Sequence, residues 1–418
     1  MSSLLTNTAA MVALQTLRGI NANLDQTNNR VSTGLRVNSA ADNAAYWSIA
    51  TTIRSDNGAL GAVQDALGIG KSTVDTVSTG LSAVQTSLQK IKEKLVSASS
   101  PNVDHTKLQT EISDLLQQLR SNADNTISVG GDNWLAVDSS AASYNATKSV
   151  VAAFSRTSAG VEVNSISIDS SAVKLYDDNA TVHASVDAAV TTAASTYATS
   201  KTGADTAYTT ALGTADTAYN TAIAAADTDF APGGGNVGDV AVRDAAYAAA
   251  LVAKNTAYAT ASTAKTTAYA GAATAFGNAL SASGTDGLGI LDKTRVAVAS
   301  NGQADATSVA DIDISSLTGS ATDLATISNY LNIVDAALSD LTDASTTLGS
   351  VSSRIGSQTT FVKALIDANT SAVGTLVDAN MEEESTKLKA LQTQQQLAVQ
   401  SLSIANSSSQ NILLLFRN

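Results

Sequence analysis

The 418-residue sequence contains no cysteine, two histidines, 4% aromatic residues and 15% charged residues, and no apolar run reaches the roughly 18 residues that a bilayer span needs. Without cysteine there are no disulfides, thiol nucleophiles or thiolate metal sites. His105 and His183 stand far apart, and neither lies in an H-E-x-x-H arrangement. No zinc centre is therefore expected, and the many Ser and Thr hydroxyls have no base to activate them. A formal charge of −13 argues against nucleic acid or an anionic membrane surface as partner, because either would favour a basic patch. The opening "MSSLLTNTAAMVALQTLRGI" has no basic flank before an apolar core, unlike a secretory signal peptide. What the chain has instead is apolar mass, 44% of its residues, mostly Ala, Val and Leu. That suits helix–helix seams better than a broad globular core.

The strongest pattern is a heptad. Leu60, Leu67, Val74, Leu81, Leu88 and Leu95 recur every seven residues, with Val63, Gly70, Val77, Val84 and Ile91 at the second seam position. A matching series runs near the other end: Leu331, Leu338, Ser345, Ser352, Thr359, Ile366 and Val373, interleaved with Val334, Leu341, Leu348, Ile355, Val362, Asn369 and Leu376. Repeats sustained over this length predict coiled-coil helices, with a shorter third helix at Leu108, Ile112, Leu115 and Leu119. The extreme ends carry weaker seams. One has Leu14, Asn21, Asn28 and Leu35 with Leu17, Leu24 and Val31; the other has Leu388, Gln395, Leu402 and Ser409 with Leu391, Ala398, Ala405 and Ile412. Polar seam residues cost stability and select a register or partner, so these ends are expected to be ordered by association.

The middle has a period of eleven. Tyr197, Tyr208, Tyr219 and Phe230 are each eleven apart, and after "APGGGNVGD" the spacing resumes at Tyr247, Tyr258 and Tyr269. Eleven residues make three helical turns, which keeps each aromatic set on one side of its helix. The reading is an Ala-rich hairpin of two antiparallel helices over 185–284, joined at Pro232 to Gly238, with its aromatics packing between the helices. At 1.5 Å per residue a helix over 185–230 would reach about 69 Å. Flanking stretches at 149–169 and 294–300 read as short strands, the first turning near Ser158 to Gly160.

Apparent cofactor motifs dissolve in context. "GIGKS" at 68–72 lacks the leading Gly of a phosphate loop, which Asp65 replaces, and it lies inside the heptad seam. "GGGNVG" at 233–238 follows a helix rather than a strand. No catalytic, cofactor or metal residue is assigned. "MEEES" at 381–385 reads as charge near a helix start.

"RVSTGLRVNSAADNAAYWSIA", from residue 30, resembles the N-terminal signature of bacterial flagellins, commonly "LSSGLRINSAKDDAAG". Arg36, Asn38, Ser39, Ala40, Asp42, Ala44 and Ala45 stand at matching positions, and "ANSSSQNILLLFRN" is similar to the family's C-terminal ending. "AAYWSIA" looks most like flagellins of soil and plant-associated bacteria. "LQKIKEKLVSAS" at 88–99 resembles the family's "LQRVRELAVQAA", with Lys90, Lys92 and Glu93 matching in type in a patch that neighbouring subunits touch.

The resemblance implies an extracellular structural subunit of the flagellar filament, not an enzyme, that polymerises with copies of itself. It also implies partners in the flagellar export apparatus and its chaperone, the filament cap and the hook-junction proteins, with no role for nucleic acid or membrane. The expected fold is mainly α: a long antiparallel coiled-coil bundle formed by both termini, a small β-hairpin and strand region, and the inserted Ala-rich helical hairpin as an outer domain. The divisions are 1–42 (an inner-tube helix pairing with 378–418), 43–184 (outer-tube helices and β-hairpin), 185–284 (the outer hairpin), 285–377 (return strands and long helix) and 378–418. Inner-tube assembly is assigned to Leu14, Leu17, Leu24, Val31, Leu388, Leu391, Leu402, Ile412, Leu415 and Phe416. The connecting turn is assigned to Gly34, Arg36, Asn38 and Asp42, with Gly34 permitting the bend and Arg36 and Asp42 pinning it by hydrogen bonds. The competing readings are a hook–filament junction protein, and a surface adhesin or immune ligand acting through the outer hairpin.

Overall fold

The computed structural model describes residues 7–100, 103–157, 160–235, 239–282, 287–299 and 303–415. Long helices dominate: α1 (Thr8–Thr33), α2 (Ala44–Ala98), α3 (His105–Asp124), α4 (Ala180–Phe230), α5 (Val240–Ala282), α6 (Ala321–Val377) and α7 (Met381–Leu415). Among the described residues six strands lie between them, β1 (Ala136–Val137), β2 (Thr147–Thr157), β3 (Gly160–Asp169), β4 (Tyr176–Asp177), β5 (Arg295–Val298) and β6 (Ala304–Thr307), in three two-stranded sheets. Of the expected turn near Ser158 to Gly160, Ser158 lies outside the described residues, as do Gly238 at the hairpin junction and Phe416. Two compact units divide the chain: residues 1–68, 151–165 and 357–418 form one, and 69–150 with 166–356 form the other.

In the first unit α1 packs on α7. Leu17, Leu24 and Val31 are half-buried, but the other seam position of α1 falls one residue earlier than the heptad reading, at Ala13, Ile20 and the buried Thr27. Leu14, Asn21 and Asn28 are exposed. The reason is the small Ala residues: with Ala10 and Ala13 facing the partner helix, the larger Leu14 turns outward. On α7, Leu388, Gln395, Ala398, Leu402 and Ala405 are half-buried and Leu391 is buried, in the predicted phase. The side chains of Ile412 and Leu415 lie outside the described residues. The early part of α2 meets the late part of α6 through polar groups as well. The Asn57 amide donates to the Thr370 hydroxyl at 3.1 Å, and the Asn369 amide donates to Asn57 Oδ1 at 2.9 Å.

In the second unit the heptad helix buries its predicted face. Val74, Val77, Leu81, Val84, Leu88, Ile91 and Leu95 are all 0% exposed, as are Val334, Leu341, Leu348 and Ile355 of α6. Gly80 is required by close packing, since a Cβ there would meet the Thr126 hydroxyl at 2.4 Å and a Leu135 methyl at 2.8 Å. β1 and β4 pair in parallel, and β5 and β6 antiparallel.

The second unit also holds the hairpin of α4 and α5. Helix α4 begins at Ala180, five residues before the predicted boundary, because Asn179 caps it by accepting from the Thr181 and Val182 amides. The base of the hairpin is not a free-standing insertion. Tyr197, Phe276 and Leu280 form a cluster with Val296 of β5 and Ala304 and Ala306 of β6. The Tyr197 hydroxyl also accepts from the Ala304 amide at 2.9 Å. The boundary at 185–284 therefore cuts through a packed core.

Candidate assembly surface, connecting turn and hairpin ladder

The turn between α1 and α2 is built from the residues the sequence singled out. Gly34 closes α1 at φ 72°, a left-handed conformation that costs a residue with a Cβ, and its amide donates to Arg30 O. The chain then lies beside the link between α6 and α7. The Arg36 amide donates to Val377 O at 2.6 Å, and the Ala379 amide to Gly34 O at 2.9 Å. Arg36 reaches across with its guanidinium to Leu376 O at 2.9 Å. Asp42 folds back to accept from the Asn38 amide and from the Ser39 amide and hydroxyl. Those Ser39 bonds hold its carboxyl below the usual range. Asn38 contributes its backbone here. Beneath the turn, Val37, Ala50, Val373 and Val377 form a small buried cluster.

One anchor went unnoticed in the sequence. Arg30 forms an ion pair with Glu384 at 2.9 Å, between α1 and the first turn of α7. Arg30 Nε and Glu384 Oε2 are buried without a hydrogen-bond partner, so the pair carries a desolvation cost in the isolated chain. The run of carboxylates at 382–384 gave the signal, but only the fold shows which one turns inward.

The terminal pair leaves a large apolar surface uncovered. Met11 is 63% exposed, Leu14 40%, Leu397 58% and Ile404 64%, and Val12 and Val399 are exposed beside them. Such clustering on one helix pair makes it the candidate association surface. In the second unit, Lys90 and Glu93 are exposed, whereas Lys92 forms an ion pair with Asp335 of α6. Lys92 is thus not a free cation, and it lines a shallow surface depression with Gln89, Glu93 and Val96.

The hairpin holds a ladder with three similar rungs. In the one nearest the tip, Arg243 of α5 lies 4.5 Å from the Phe230 ring centroid and 5.7 Å from that of Tyr247, and the Tyr247 hydroxyl donates to Asp227 of α4. Eleven residues along, Lys254 sits 5.0 Å over Tyr219, pairs with Asp216 at 2.7 Å, and Tyr258 donates to the same Asp216. Eleven further, Lys265 sits 4.9 Å over Tyr208, pairs with Asp205 at 2.7 Å, and Tyr269 donates to Asp205. Each rung joins a cation–π contact to a carboxylate that accepts from a phenol. The Lys265 ammonium and the Tyr269 phenol hold the Asp205 carboxyl well below its ordinary range, and Lys254 does the same for Asp216. At the base the pattern changes: Phe276 and Leu280 stand where a cation and a tyrosine would come next, and Phe276 stacks on Tyr197 with centroids 5.8 Å apart. The aromatics were visible in the sequence. Their partners recur at the same period, Asp205, Asp216 and Asp227 on one helix and Arg243, Lys254 and Lys265 on the other, a signal that was available and not used.

Among the described residues no helix is long and apolar enough to cross a membrane, and no cluster of His, Asp and Glu could hold a metal ion. Comparison with known proteins gives a consistent result at both ends of the chain. The bacterial flagellin N-terminal helical region matches residues 4–140, and the bacterial flagellin C-terminal helical region matches residues 331–416. Flagellin A of Rhizobium meliloti is 43% identical and a flagellin D of the same species 44% identical, each aligned over the whole of both chains. A flagellin of Brucella melitensis is 32% identical, again over the full length of both.

Proposed function

The chain belongs to the bacterial flagellin family, and on that premise we propose how it works as a structural subunit of the extracellular flagellar filament. The observation that carries the mechanism is the uncovered apolar surface of α1 and α7, centred on Met11, Val12, Leu14, Val399 and Ile404. Burying one such side chain against another subunit stabilises association by about 1.5–3 kcal/mol. Identical, heterologous contacts that do not close on themselves extend into a helical polymer. Leu17, Leu24, Val31, Leu388, Leu391 and Leu402 hold the two helices together within one subunit; Ile412, Leu415 and Phe416 are assigned to assembly by the sequence alone. Lys90 and Glu93, with Lys92 through its pair to Asp335, meet the neighbouring subunit. The chain is exported unfolded by the flagellar apparatus with a chaperone, joins at the filament cap, and follows the hook-junction proteins. It carries out no catalysis; this reading rests on the structural character of the family.

Val12→Asp and Ile404→Asp test the mechanism. Both residues are exposed in the single subunit. Monomer melting is therefore expected to be unchanged while sedimentable filaments are lost. Filaments that form normally from both variants would overturn the assignment.

A second reading concerns the hairpin. From Ala188 to Phe230 and from Val240 to Ala282 the charged side chains are engaged within the ladder, its neighbours and the tip, leaving outer faces of Ala and Thr with exposed Val240, Leu251 and Val252. Neighbouring hairpins in the polymer touch through these faces and stiffen it. The chain lacks cysteine, so Val252→Cys gives one reporter. Oxidative cross-linking in filaments and not in monomers is expected. Its absence, with unchanged stiffness, would leave the hairpin as an outward-facing adhesive surface.

A further inference from the structure

One pair of neighbouring residues in the first unit is not explained by packing. Asn57 and Gly58 lie well inside α2, and the glycine alone costs such a helix about 1 kcal/mol relative to Ala. Nothing in the fold asks for that glycine. It is exposed, its φ is not in the left-handed region, and a Cβ built there would meet no atom within 4 Å. Gly61 and Gly68 stand in the same open space further along the helix, so this stretch of α2 opens more readily than the close-packed stretch around Gly80. Of the three, only Gly58 follows an asparagine. The other Asn–Gly pair of the sequence, at 301–302, lies outside the described residues.

Asn57 itself is tied to α6 through both ends of its carboxamide. Its Nδ2 donates to the Thr370 hydroxyl oxygen at 3.1 Å and to Ile366 O at 3.4 Å, and its Oδ1 accepts from Asn369 Nδ2 at 2.9 Å. Thr370 donates its own hydroxyl proton to Ile366 O at 2.8 Å. The site thus presents acceptors to Nδ2, and a carboxylate oxygen in its place would face the Ile366 carbonyl and the Thr370 lone pairs. While α2 is closed, the Gly58 amide proton belongs to the carbonyl four residues back and the Asn57 side chain is held by α6. Once released, the same two residues are chemically labile. With no Cβ on Gly58 to obstruct the approach, its backbone nitrogen reaches the Asn57 side-chain carbon.

We propose that Asn57–Gly58 is a self-modification site guarded by the contact between α2 and α6: when the segment opens, the chain deamidates there and no longer closes in the same way. The Gly58 nitrogen forms a bond to Asn57 Cγ, the Cγ–Nδ2 bond breaks, and the proton from the attacking nitrogen passes through solvent to the departing group, which leaves as ammonia. The product is a cyclic imide. Water then adds at either ring carbonyl. Breaking the bond from Cγ to the ring nitrogen leaves aspartate, and breaking the bond from the Asn57 backbone carbon to that nitrogen leaves isoaspartate. No oxidant, reductant or enzyme takes part. Aspartate sets an anionic oxygen against Ile366 O, whereas isoaspartate lengthens the backbone of α2 by a methylene and interrupts its hydrogen-bond ladder. Either product weakens the hold of α2 on α6. A chain that has stood open is permanently marked, and a closed chain is spared.

The test follows the tryptic peptide from Ser55 to Lys71, in which Asn57 is the only asparagine, by the mass gain of amide-to-acid conversion. The full-length chain is incubated folded in buffer and unfolded in guanidinium chloride, at one pH and temperature. Conversion in the folded monomer is expected to be slower by about tenfold or more, because it must wait for the helix to open. Equal rates would overturn the proposal, as would a peptide that stays unmodified in the denaturant. Gly58→Ala leaves the contacts of Asn57 in place and adds a methyl in open space. In denaturant, where folding plays no part, this variant should suppress the reaction; conversion as fast as in the wild type would exclude the cyclic imide. The consequence is read after refolding, by separating modified from unmodified chains by charge and measuring hydrogen exchange of the α6 amides at 366–370. Faster exchange in the modified chains is expected, with the α2 seam at 74–95 unchanged. Equal protection of 366–370 in both fractions would sink the claim that the contact is lost.

Discussion

Helices α2 and α6 are held by aliphatic side chains at intervals of seven, buried until Val77, Leu81, Leu88 and Leu348 have no exposed surface. Helices α4 and α5 are held by Ala between widely spaced rungs, and their ring, cation and carboxylate sets recur every eleven. Only scattered positions of that hairpin, such as Ala215, Ala250 and Ala261, are buried above the base. The first arrangement draws its stability from area removed from water, whose size is indifferent to salt and pH. The second gains less from area and more from geometry, because a rung forms only when four side chains meet. A long helix pair can thus be specified either by a continuous apolar seam or by periodic polar fasteners on a seam of small residues. The two should respond differently to the same kinds of damage.

The largest expected effect tests the seam. Val77→Asp places a charge where nothing is exposed, and it should destabilise the subunit by about 4 kcal/mol or more, read as a fall in the thermal midpoint of the second unit. A shift as small as that of an exposed substitution would mean the seam is not what holds α2. Next comes the register of the ladder. Deleting residues 209–219 together with 248–258 removes one rung and leaves the rungs at Asp205 and Asp227 in phase; deleting 210–219 with 249–258 instead turns each outer segment by about 80°. Circular dichroism should show a shorter but stable hairpin in the first case and loss of helix beyond the cut in the second. Equal stability would reduce the rungs to decoration.

Smaller still is the turn. Gly34→Ala forces a Cβ into the left-handed conformation and should cost about 1 kcal/mol, seen as faster exchange of the Arg36 and Ala379 amides. The smallest effect is expected for Asp216→Ala, which frees Lys254 and Tyr258 at an exposed rung. Thermal midpoints should barely move, while amide exchange rises locally around the rung. The carboxylates of Asp205 and Asp216 have folded values below the ordinary 3.8, so their contribution is present above that pH and is lost only as the pH falls further. Helicity of the hairpin should therefore survive to about pH 4. Melting at pH 5 would show that other groups hold it.

The heptad phases of α2 and α7, and the series Val334, Leu341, Leu348 and Ile355 of α6, were legible because Leu, Val and Ile mark a buried face, whereas the other α6 series falls one residue earlier than read, at the buried Ala337, Ala344 and Val351 instead of the half-buried Leu338, Ser345 and Ser352. In α1 the same reasoning chose Leu14 over Ala13, since composition cannot tell that small residues are being used to bring two backbones close. The turn was legible through Gly34 and Asp42, whose roles depend on neighbours a few residues away. Its other half was not: the pairing with Val377 and Ala379, and Arg30 with Glu384, joins residues more than 300 positions apart. The hairpin's aromatics announced themselves, yet their carboxylate and cation partners passed as ordinary surface charge. The strands β1, β4 and β6 run for two to four residues and carry no alternation to detect.

The spacing of the rungs also implies an order of events. Tyr247 and Asp227 are 20 residues apart along the chain, Tyr258 and Asp216 are 42, and Tyr269 and Asp205 are 64. Once the innermost pair meets, each further pair closes a loop only 22 residues longer, and the entropy of closure grows slowly with length. The tip, where Gly233 at φ 102° lies in a turn closed by the Gly234 amide donating to Ala231 O, is the natural starting point. The hairpin is therefore expected to zip from its tip towards its root on the fast timescale of local contacts. Contacts such as Asn57 with Thr370 must bridge 313 residues. A chain that folds from the unfolded state would raise its hairpin first and join its two ends last.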